Sequence, residues 1–485
     1  MAEQPNVVVV VIDTTRVDDA YDAQVAPALA TLADSGMRAT QAFSAAPWTL
    51  PSHASLLTGT HSSKHGAHAG HERLDDRLPM LPECFKNAGY ETVCVSNNTW
   101  LSAESGFDRG FDSFQQMWQV VQSRNALSEL VDVNEERRVQ AVAKGLLDGN
   151  PVSNVANALY RYFVRARSDD GATRSTKWIT DWLSRREGED PFFLLVNYLE
   201  PHLEYRPPER LVEQYLPANT TYEDAMDVSQ EPWGYLAGNV NLSRSDFRLL
   251  RALYRAEIAY VDEQLATFRD TLEELGELQD TIFVVTADHG ENIGDHGLMD
   301  HQYCLYDTLV HVPLVLGGGA FSDRGDVTDL ISLVDVAPTL LDEAGIDASE
   351  ARESFQGVSF HPDADREPRE FVVSEYMEPQ PSMDALERNV GDLPEHVRKY
   401  DRSLQMIRTS EYKLVRGSDG SRELYDLTRS SEEAENLAEV RPSIADDLES
   451  TFDAWFDSFD HARNTESVAI SEDRKARLEQ LGYLQ

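Results

Sequence analysis

Short apolar runs rich in β-branched residues recur along the chain and alternate with segments of helical spacing. The first run, Asn6 to Ile12, is continuous and ends at Asp13, which is typical of a strand buried on both faces of a parallel sheet. The fourth run, Thr281 to Thr286, is likewise followed by charged residues. This alternation predicts an α/β fold with a large, mostly parallel sheet between helices. The other predicted strands are Glu91 to Ser96, Pro191 to Tyr198 and Val312 to Leu316, and the predicted helices are Val25 to Gly36, Leu81 to Gly89, Asp246 to Leu275 and Leu333 to Ala344.

The length of 485 residues suits one large domain and a smaller one. We predict a catalytic α/β domain over residues 1–365 and a C-terminal α+β subdomain over residues 370–485, linked by the charged stretch Asp363 to Arg369. The subdomain combines alternating strands, typical of a small antiparallel sheet, with a terminal helix from Pro442 to Phe456. Two polar stretches are expected as insertions at the active edge of the large sheet, 120–180 and 205–245.

Charge is the most unusual feature of the composition. The chain has 43 basic against 85 acidic residues, a net charge of −42, and only seven of the basic residues are lysine. Such a surface repels phosphate backbones and anionic lipid heads, so nucleic acid and membranes are excluded as general partners. An evenly acidic, lysine-poor chain is similar to the proteins of salt-accumulating haloarchaea, so we predict a halophilic, archaeal protein.

Cysteine usage and hydropathy bear on where the protein works. Cys84, Cys94 and Cys304 form an odd set without metal-binding spacing, so we expect them to be buried, inert and reduced. The N-terminal apolar run is short, lacks a preceding basic region and ends in an aspartate, unlike a signal peptide. No stretch approaches 18 apolar residues. These features predict a cytoplasmic protein without membrane insertion.

Three polar patches lie where the predicted strands end. They are Asp13 to Arg16, Pro47 to Gly59 and Thr286 to Gly297. An aspartate after one strand and the Asp288-His289 pair after another can converge at a switch point of the sheet. Two carboxylates and an imidazole suit a divalent ion such as Zn²⁺, Mn²⁺, Mg²⁺ or Ca²⁺. A hydroxyl bound to the same ion would lose its proton readily and become a nucleophile.

The motifs within these patches resemble the sulfatase-like branch of the alkaline phosphatase superfamily. Sulfatases of that branch carry Cys/Ser-x-Pro-x-Arg followed by Ala-Ser-Leu-Leu-Thr-Gly, and the matching stretch here is Thr49 to Gly59. The family block Asp-His-Gly-Glu with Gly-Asp-His-Gly is present between Asp288 and Gly297. Further matches, in the family's order, are Gly106 to Asp112, Tyr306 to Pro313, Val334 to Leu341, Arg408 to Leu427 and Leu481 to Tyr483.

This resemblance implies an alkaline phosphatase/sulfatase-like sandwich with a small C-terminal subdomain, and it assigns roles to individual residues. One divalent metal ion is implied, and a second is left open. His202 falls on a substrate-contacting histidine, and His301 falls where many members have a lysine that touches the transferred group. The implied metal ligands are Asp13, Thr49, Asp288 and His289, and the implied catalytic residues are Thr49, His53, His202 and His301.

Several positions depart from the family pattern. Thr49 replaces the cysteine or serine that sulfatases convert to formylglycine, and the methyl group on its Cβ prevents that conversion. His53 replaces the signature arginine, Thr14 the second acidic ligand, and Gly70 the usual asparagine. Histidines near Gly70 are candidate substitute donors: His65, His68 and His71. Ser52 and Ser55 are less favoured as nucleophiles, and Asp295 and His296 are expected to stabilise their loop.

The resulting functional prediction is a metal-dependent hydrolase of phosphate or sulfate esters with Thr49 as the covalent nucleophile. Phosphoesters are favoured because threonine can attack phosphorus directly. The substrate would be a small-molecule or glycan ester. Two alternatives stay open. One is a transferase that passes the phospho group to an alcohol. The other is a non-catalytic homologue that binds a metal or an oxyanion.

The acidic composition also generates a test of stability. We expect the thermal midpoint to rise between low and molar KCl, because the Debye length falls to about 3 Å at 1 M and the surface charges are screened. Differential scanning fluorimetry over a KCl series measures this directly. A midpoint that stays constant or falls would contradict the halophilic prediction.

Overall fold

The apolar run Asn6–Ile12 lies near the middle of an eight-stranded sheet in the computed structural model of the chain. The structure describes residues 4–117, 171–188, 190–365, 367–430 and 432–462. Most of the predicted insertion 120–180 and the motif Leu481 to Tyr483 lie outside the described residues. The strands, numbered in chain order, are β1 Asn6–Ile12, β2 Met37–Ala39, β3 Ala42–Phe43, β4 Glu91–Ser96, β5 Ser113–Gln116, β6 Phe192–Tyr198, β7 Thr281–Thr286, β8 Asn292–Ile293, β9 Met299–Asp300, β10 Leu314–Gly317, β11 Gly325–Val327, β12 Ile331–Ser332, β13 Val372–Tyr376, β14 Leu404–Arg408, β15 Tyr412–Gly417 and β16 Arg422–Asp426.

The large sheet has the strand order β11-β2-β10-β7-β1-β6-β4-β5. Strand β1 pairs in parallel with β6 on one side and β7 on the other, and β4 pairs in parallel with β5 and β6. Strand β10 runs antiparallel to both β7 and β2. The predicted α/β fold with a mostly parallel sheet is therefore confirmed.

Helices cover both faces of this sheet because successive β1 side chains point to opposite sides. Val7, Val9 and Val11 join a core cluster with the helix Thr49–Thr58, whereas Val8 and Val10 join a cluster with the helix Arg244–Leu275. The α-helices of the described residues are Val17–Ala20, Pro27–Ser35, Thr49–Thr58, Ser62–His65, Leu81–Asn87, Ala172–Leu183, Glu209–Val212, Tyr222–Met226, Pro232–Leu236, Arg244–Leu275, Asp307–Val310, Val336–Glu343, Ser349–Arg352, Met383–Val390, Glu395–Arg398 and Pro442–Phe456. Among these residues no helix is both long and apolar enough to cross a membrane.

The longest helix shows how local sequence sets its ends. Arg244–Leu275 begins two residues before the predicted start because the Ser243 side chain accepts a hydrogen bond from the Asp246 amide and forms a capping box. It ends at Gly276, which has a φ of 76°. The predicted helix from Leu333 begins instead as a 3₁₀ turn before Val336–Glu343.

Strands β13 to β16 form an antiparallel sheet in sequence order, as predicted for the C-terminal region. The helix Pro442–Phe456 has the predicted bounds and packs against one face through Ile407 and Leu414. Met406 and Val415, on the opposite face, join the core of the large domain. The small sheet is therefore buried on both faces.

A buried ionic cluster also joins the small sheet to the large domain. The Lys413 ammonium lies 2.8 Å from Asp307 Oδ1 and 2.6 Å from Glu433 Oε1, and Arg408 lies 3.1 Å from Asp307 Oδ2. Burial opposes ionisation of Asp307, but the charges of Lys413 and Arg408 lower the pKa of its carboxyl. Removing Lys413 would leave Asp307 paired with Arg408 and would take from the buried Glu433 the cation that it pairs with.

We therefore expect Lys413→Ala to lower the free energy of unfolding by about 3–5 kcal/mol, as for other broken buried ion pairs. The matched control is Lys177→Ala, because Lys177 is 72% exposed and pairs with Asp181 one helical turn away. That exposed pair contributes only about 0.3–0.5 kcal/mol. Urea denaturation at constant salt measures both variants, and equal losses would contradict a structural role for the buried cluster.

Candidate active site

Two carboxylates meet at the carboxyl edge of the large sheet. Asp13 directly follows β1, and Asp288 lies two residues beyond the end of the neighbouring parallel strand β7. Asp13 is held in place by its amide, which donates a hydrogen bond of 3.0 Å to the Tyr198 carbonyl. Both aspartates are buried, at 0% and 1% exposure. The predicted convergence of the strand-end aspartates is therefore present.

His289 presents one ring nitrogen to both carboxylates. Its Nδ1 lies 3.0 Å from the Gly290 carbonyl oxygen, which can only accept, so Nδ1 carries the proton and Nε2 has the lone pair. Nε2 lies 3.7 Å from Asp13 Oδ1 and 3.4 Å from Asp288 Oδ2. This tautomer suits a metal ligand oriented by its second nitrogen.

Thr49 completes the group as the first residue of the helix Thr49–Thr58. Its Oγ1 lies 3.5 Å from His289 Nε2. Ligand atoms at about 2.1 Å from a tetrahedral ion are separated by about 3.4 Å, which is close to these spacings. The oxygens facing His289, Asp13 Oδ1 and Asp288 Oδ2, have no hydrogen-bond partner among the described residues. The four side chains therefore fit a divalent cation.

The pKa shifts of these side chains also favour a bound cation. Burial and the neighbouring Asp288 raise the pKa of Asp13 well above its usual range, and burial raises the pKa of Asp288. Burial also lowers the pKa of His289 well below its usual value. Two buried carboxylates beside a neutral imidazole need a compensating cation to stay ionised.

Asn98 is a site residue that sequence reasoning missed. Its Nδ2 donates hydrogen bonds to Asp13 Oδ2 at 2.6 Å and to Thr49 Oγ1 at 3.2 Å. Its Oδ1 accepts from the Trp100 amide at 2.9 Å, which fixes the orientation of the side-chain amide. Asn98 follows β4 by two residues, so its place after a predicted strand was the available signal.

His53 lies one helical turn after Thr49 and is buried. Its Nδ1 lies 3.1 Å from the Thr49 carbonyl oxygen and 3.5 Å from Asp288 Oδ2. The two serines of this helix are engaged elsewhere. Ser52 Oγ donates to the Asp288 carbonyl at 2.6 Å, and Ser55 Oγ lies 3.0 Å from His65 Nε2. Ser52 therefore contacts the main chain of Asp288, whereas Thr49 Oγ1 lies against the side chain of His289.

His301 and His202 lie beside the metal-ligand group. The His301 ring centroid is 4.4 Å from that of His289 and 5.1 Å from that of His202. His301 Nδ1 lies 2.6 Å from Asp300 Oδ1 and 3.6 Å from Glu291 Oε1. Burial opposes its protonation, but these two carboxylates raise the pKa of His301 well above its usual value. The raised pKa favours the charged imidazole, and the assignment of His301 to the position of a family lysine stays a prediction.

Asp300 and Glu291 are further acidic neighbours that the sequence did not single out. With His301 they form a second buried group of metal-binding residue types. The Asp300–His301 separation of 2.6 Å is shorter than two ligands of one ion require and fits a shared proton. Burial raises the pKa of Glu291 to about 7.

Asp295 and His296 stabilise their loop, in line with expectation. Asp295 pairs with Arg16 at 2.7 Å, and the His296 ring stacks on Tyr306 at 3.7 Å between centroids. The three histidines near Gly70 have different partners. His65 contacts Ser55, as described above, whereas two neighbours pair through their main chains: His68 and His71.

The positions that depart from the family motif have their own geometry. Thr14 has a φ of 53°, and its amide donates to Asp288 Oδ1 at 3.3 Å. It therefore supports the aspartate through the main chain. A Cβ atom at Gly70 would lie 2.2 Å from Glu378 Oε2. Any side chain at position 70 would require Glu378 to move.

Comparison with known proteins places the fold and the motifs in one family. The sulfatase family model matches residues 5–346, and the model for the C-terminal region of N-sulphoglucosamine sulphohydrolase matches residues 294–453. An arylsulfatase of Clostridium perfringens is 23% identical over 482 residues, which cover 94% of this chain and 96% of the relative.

Two solved structures share the fold. The phosphonate monoester hydrolase of Agrobacterium radiobacter has a TM-score of 0.69 at 19% identity, covering 96% of this chain and 99% of that one. A protein solved with its substrate D-glucosamine-2-N,6-O-disulfate has a TM-score of 0.67 at 18% identity, covering 94% and 99%. With the family model matching more than half of its residues, the chain belongs to the sulfatase family.

Proposed function

We propose that this protein hydrolyses phosphoesters through a covalent phospho-threonine at Thr49. The observation that carries the proposal is the position of Thr49 Oγ1, 3.5 Å from His289 Nε2 and 3.2 Å from Asn98 Nδ2. A hydroxyl at this place shares its surroundings with the candidate metal ligands. It is the arrangement expected of an activated nucleophile.

The side chain at position 49 favours phosphate over sulfate. Threonine carries a methyl group on Cβ, so it cannot become the formylglycine that sulfatases use. A threonine oxygen can still attack phosphorus directly. The fold shared with a phosphonate monoester hydrolase supports this substrate class, whereas the arylsulfatase relative keeps sulfate esters as the second candidate.

Members of the sulfatase family bind a divalent metal. In this chain the residues that would hold it are Asp13, Thr49, Asp288 and His289. The facing oxygens of the first three lie 3.4–3.7 Å from His289 Nε2. When bound, such an ion supplies positive charge for the oxygens of the transferred group and favours ionisation of the hydroxyl. Oxygen and imidazole ligands are compatible with Zn²⁺, Mn²⁺, Mg²⁺ or Ca²⁺.

The other roles in the transfer step are proposed for side chains of the protein. Thr49 Oγ1 loses its proton to solvent and forms a bond to phosphorus, while the bond between phosphorus and the leaving oxygen breaks and that oxygen takes up a proton. Asn98 orients Thr49 by donating to its oxygen. The His301 ring lies between contacts with the rings of His289 and His202. From there His202 and His301 can donate hydrogen bonds to the transferred group or the leaving oxygen. His53, with Nδ1 3.5 Å from Asp288 Oδ2, stays a predicted catalytic residue.

The second half of the reaction restores the enzyme. Water attacks phosphorus, the bond to Thr49 Oγ1 breaks, and the hydroxyl regains its proton. An acceptor alcohol in place of water would give the transferase that the sequence left open.

The proposed substrate is a small-molecule or glycan ester. The proposal places the protein in a salt-rich cytoplasm, on the strength of the charge of −42 and of free, buried Cys84, Cys94 and Cys304.

The metal site is tested first. Asp288→Ala should lower metal affinity by more than about a hundredfold, because even changes outside the ligand shell cost 10–100-fold. Metal content after dialysis, measured by mass spectrometry, reports this without reference to turnover. The matched control is Asp295→Asn, which alters a neighbouring carboxylate paired with Arg16. Full metal retention in Asp288→Ala would remove Asp288 from the ligand set.

The nucleophile is tested by substitution and trapping. Thr49→Ala should reduce phosphoester turnover by at least about a thousandfold, whereas Thr49→Ser should keep part of it because the hydroxyl survives. Mass spectrometry after acid quenching should find phosphate on the peptide that contains Thr49. Ser55→Ala serves as the control, since Ser55 contacts His65.

Two results would refute this role of Thr49. One is phosphoester turnover by Thr49→Ala at the wild-type rate. The other is trapped phosphate on a peptide without position 49. Sulfate-ester turnover that exceeds phosphoester turnover would instead leave the nucleophile in place and change the substrate class.

A further inference from the structure

A groove on the large domain lies apart from the candidate active site. It is lined by the helix Leu81–Asn87 and by residues 345–351, which lead into the helix Ser349–Arg352. Its volume of about 650 Å³ is enough for several side chains. An apolar surface of this kind, open to water on an acidic protein, is a candidate docking site. The apolar residues of the groove are Pro79, Cys84, Ala88, Ile346, Ala348 and Ala351.

The charged residues that line the groove are all acidic. Glu83 lies on the first helix, and Asp347 and Glu350 are exposed on the opposite side. The neighbouring Arg352 does not line the groove and pairs with Asp342 at 2.7 Å. The groove therefore fits a segment that is both apolar and basic.

The C-terminal segment of this chain has that composition. Residues 474–484, RKARLEQLGYL, contain three basic residues and one acidic residue, in a chain with a net charge of −42. They include the motif Leu481 to Tyr483, for which the proposed function has no role. The large apolar residues of the segment are Leu478, Leu481, Tyr483 and Leu484.

The last described residue, Ala462, lies a few contacts away from the groove. Its amide donates a hydrogen bond of 2.9 Å to the Ser63 carbonyl. The next residue, Lys64, donates through Nζ to the Ser354 carbonyl at 2.5 Å. Ser354 Oγ in turn donates to the carbonyl of Ala351, which lines the groove, at 2.7 Å. The C-terminal segment therefore starts from a point on the groove's side of the molecule.

We propose that residues 474–484 bind in the groove of their own chain, with the leucines on its apolar floor and the basic residues against its acidic rim. The eleven residues 463–473 can span up to about 36 Å, which is ample for the three contacts between Ala462 and the groove. A tethered segment also has a high effective concentration at a site within its reach. The proposed function does not use this surface, so either proposal can fail without the other.

Digestion of the full chain with trypsin tests the docking. Trypsin cleaves after basic residues, and cleavage within a docked segment follows the fraction of molecules in which the segment is released. Ala348→Trp places a large side chain in the groove, so it should raise the rate of cleavage after Arg477 by at least about tenfold. Cleavage after Arg463, which precedes the segment, should not change. Mass spectrometry of the peptides measures both rates, and an unchanged rate after Arg477 would overturn the inference.

A surface variant tests the charge complementarity without filling the groove. Glu350→Lys reverses an exposed rim charge, so cleavage after Arg477 should become about fivefold faster. The matched control is Glu353→Lys, because Glu353 is exposed three residues later and does not line the groove. Equal acceleration in both variants would mean that overall charge controls cleavage, and it would overturn the inference.

A disulfide identifies the occupant. Cys84 is a free cysteine that lines the groove, so Leu481→Cys should form a disulfide with it within one chain under mild oxidation. Ser467→Cys, in the stretch before the segment, is the control and should not. A disulfide between two chains would assign the groove to a second copy. A link from Ala2→Cys with none from Leu481→Cys would assign the groove to the N-terminal residues before Gln4, which also lines it. Either result would overturn the inference.

Discussion

The burial of Asp13 and Asp288 side by side is the constraint on which the rest of the site depends. Strands β1 and β7 are parallel neighbours in which Val11 pairs with Thr286, so the two aspartates follow at equivalent positions. Both carboxylates are removed from water, and each leaves one oxygen without a hydrogen-bond partner in the described chain. Folding therefore brings together two carboxylates that need a compensating cation if both are to stay ionised. The neutral Nε2 of His289 and the hydroxyl of Thr49 lie around the space that such a cation would occupy.

Much of this arrangement could be predicted because short sequence patterns mark the ends of its strands and helices. A continuous β-branched run followed by an aspartate marks the end of a buried strand, and the confirmed bounds of β1, β4 and β7 show how closely such runs define strands. The helix Pro442–Phe456 likewise has the predicted bounds, since proline at its first position is a local start signal. The parallel sheet then places the strand-end residues at one edge. The roles of individual residues came from the family motif, and they remain predictions.

The contacts that escaped prediction depend on distances across the fold. Asn98 is 85 residues from Asp13 in sequence. The two residues meet because their strands, β4 and β1, lie on either side of β6 in the same sheet. The Asp300 carboxylate contacts the ring of its neighbour His301. Asp300 has a φ of 74°, and no sequence pattern predicted this conformation. The pairing of Lys413 with Asp307 joins two sheets and leaves no periodic signal. In each case a single polar contact fixes the geometry, and single contacts do not produce a sequence pattern.

The departures from the family motif form a coherent set once their contacts are considered together. Threonine at position 49 retains a hydroxyl group and cannot form the aldehyde, because its Cβ carries a methyl group. The family resemblance predicts that His53 and His301 replace an arginine and a lysine, and the Asn98 amide donates a hydrogen bond to the Thr49 hydroxyl. The carboxylates of Asp13 and Asp288 are unchanged by these replacements. The replacements therefore change the side chains around Asp13, Asp288 and His289 and leave these three candidate ligands in place. Strand ends that bring two carboxylates and an imidazole together can therefore be combined with different side chains around them.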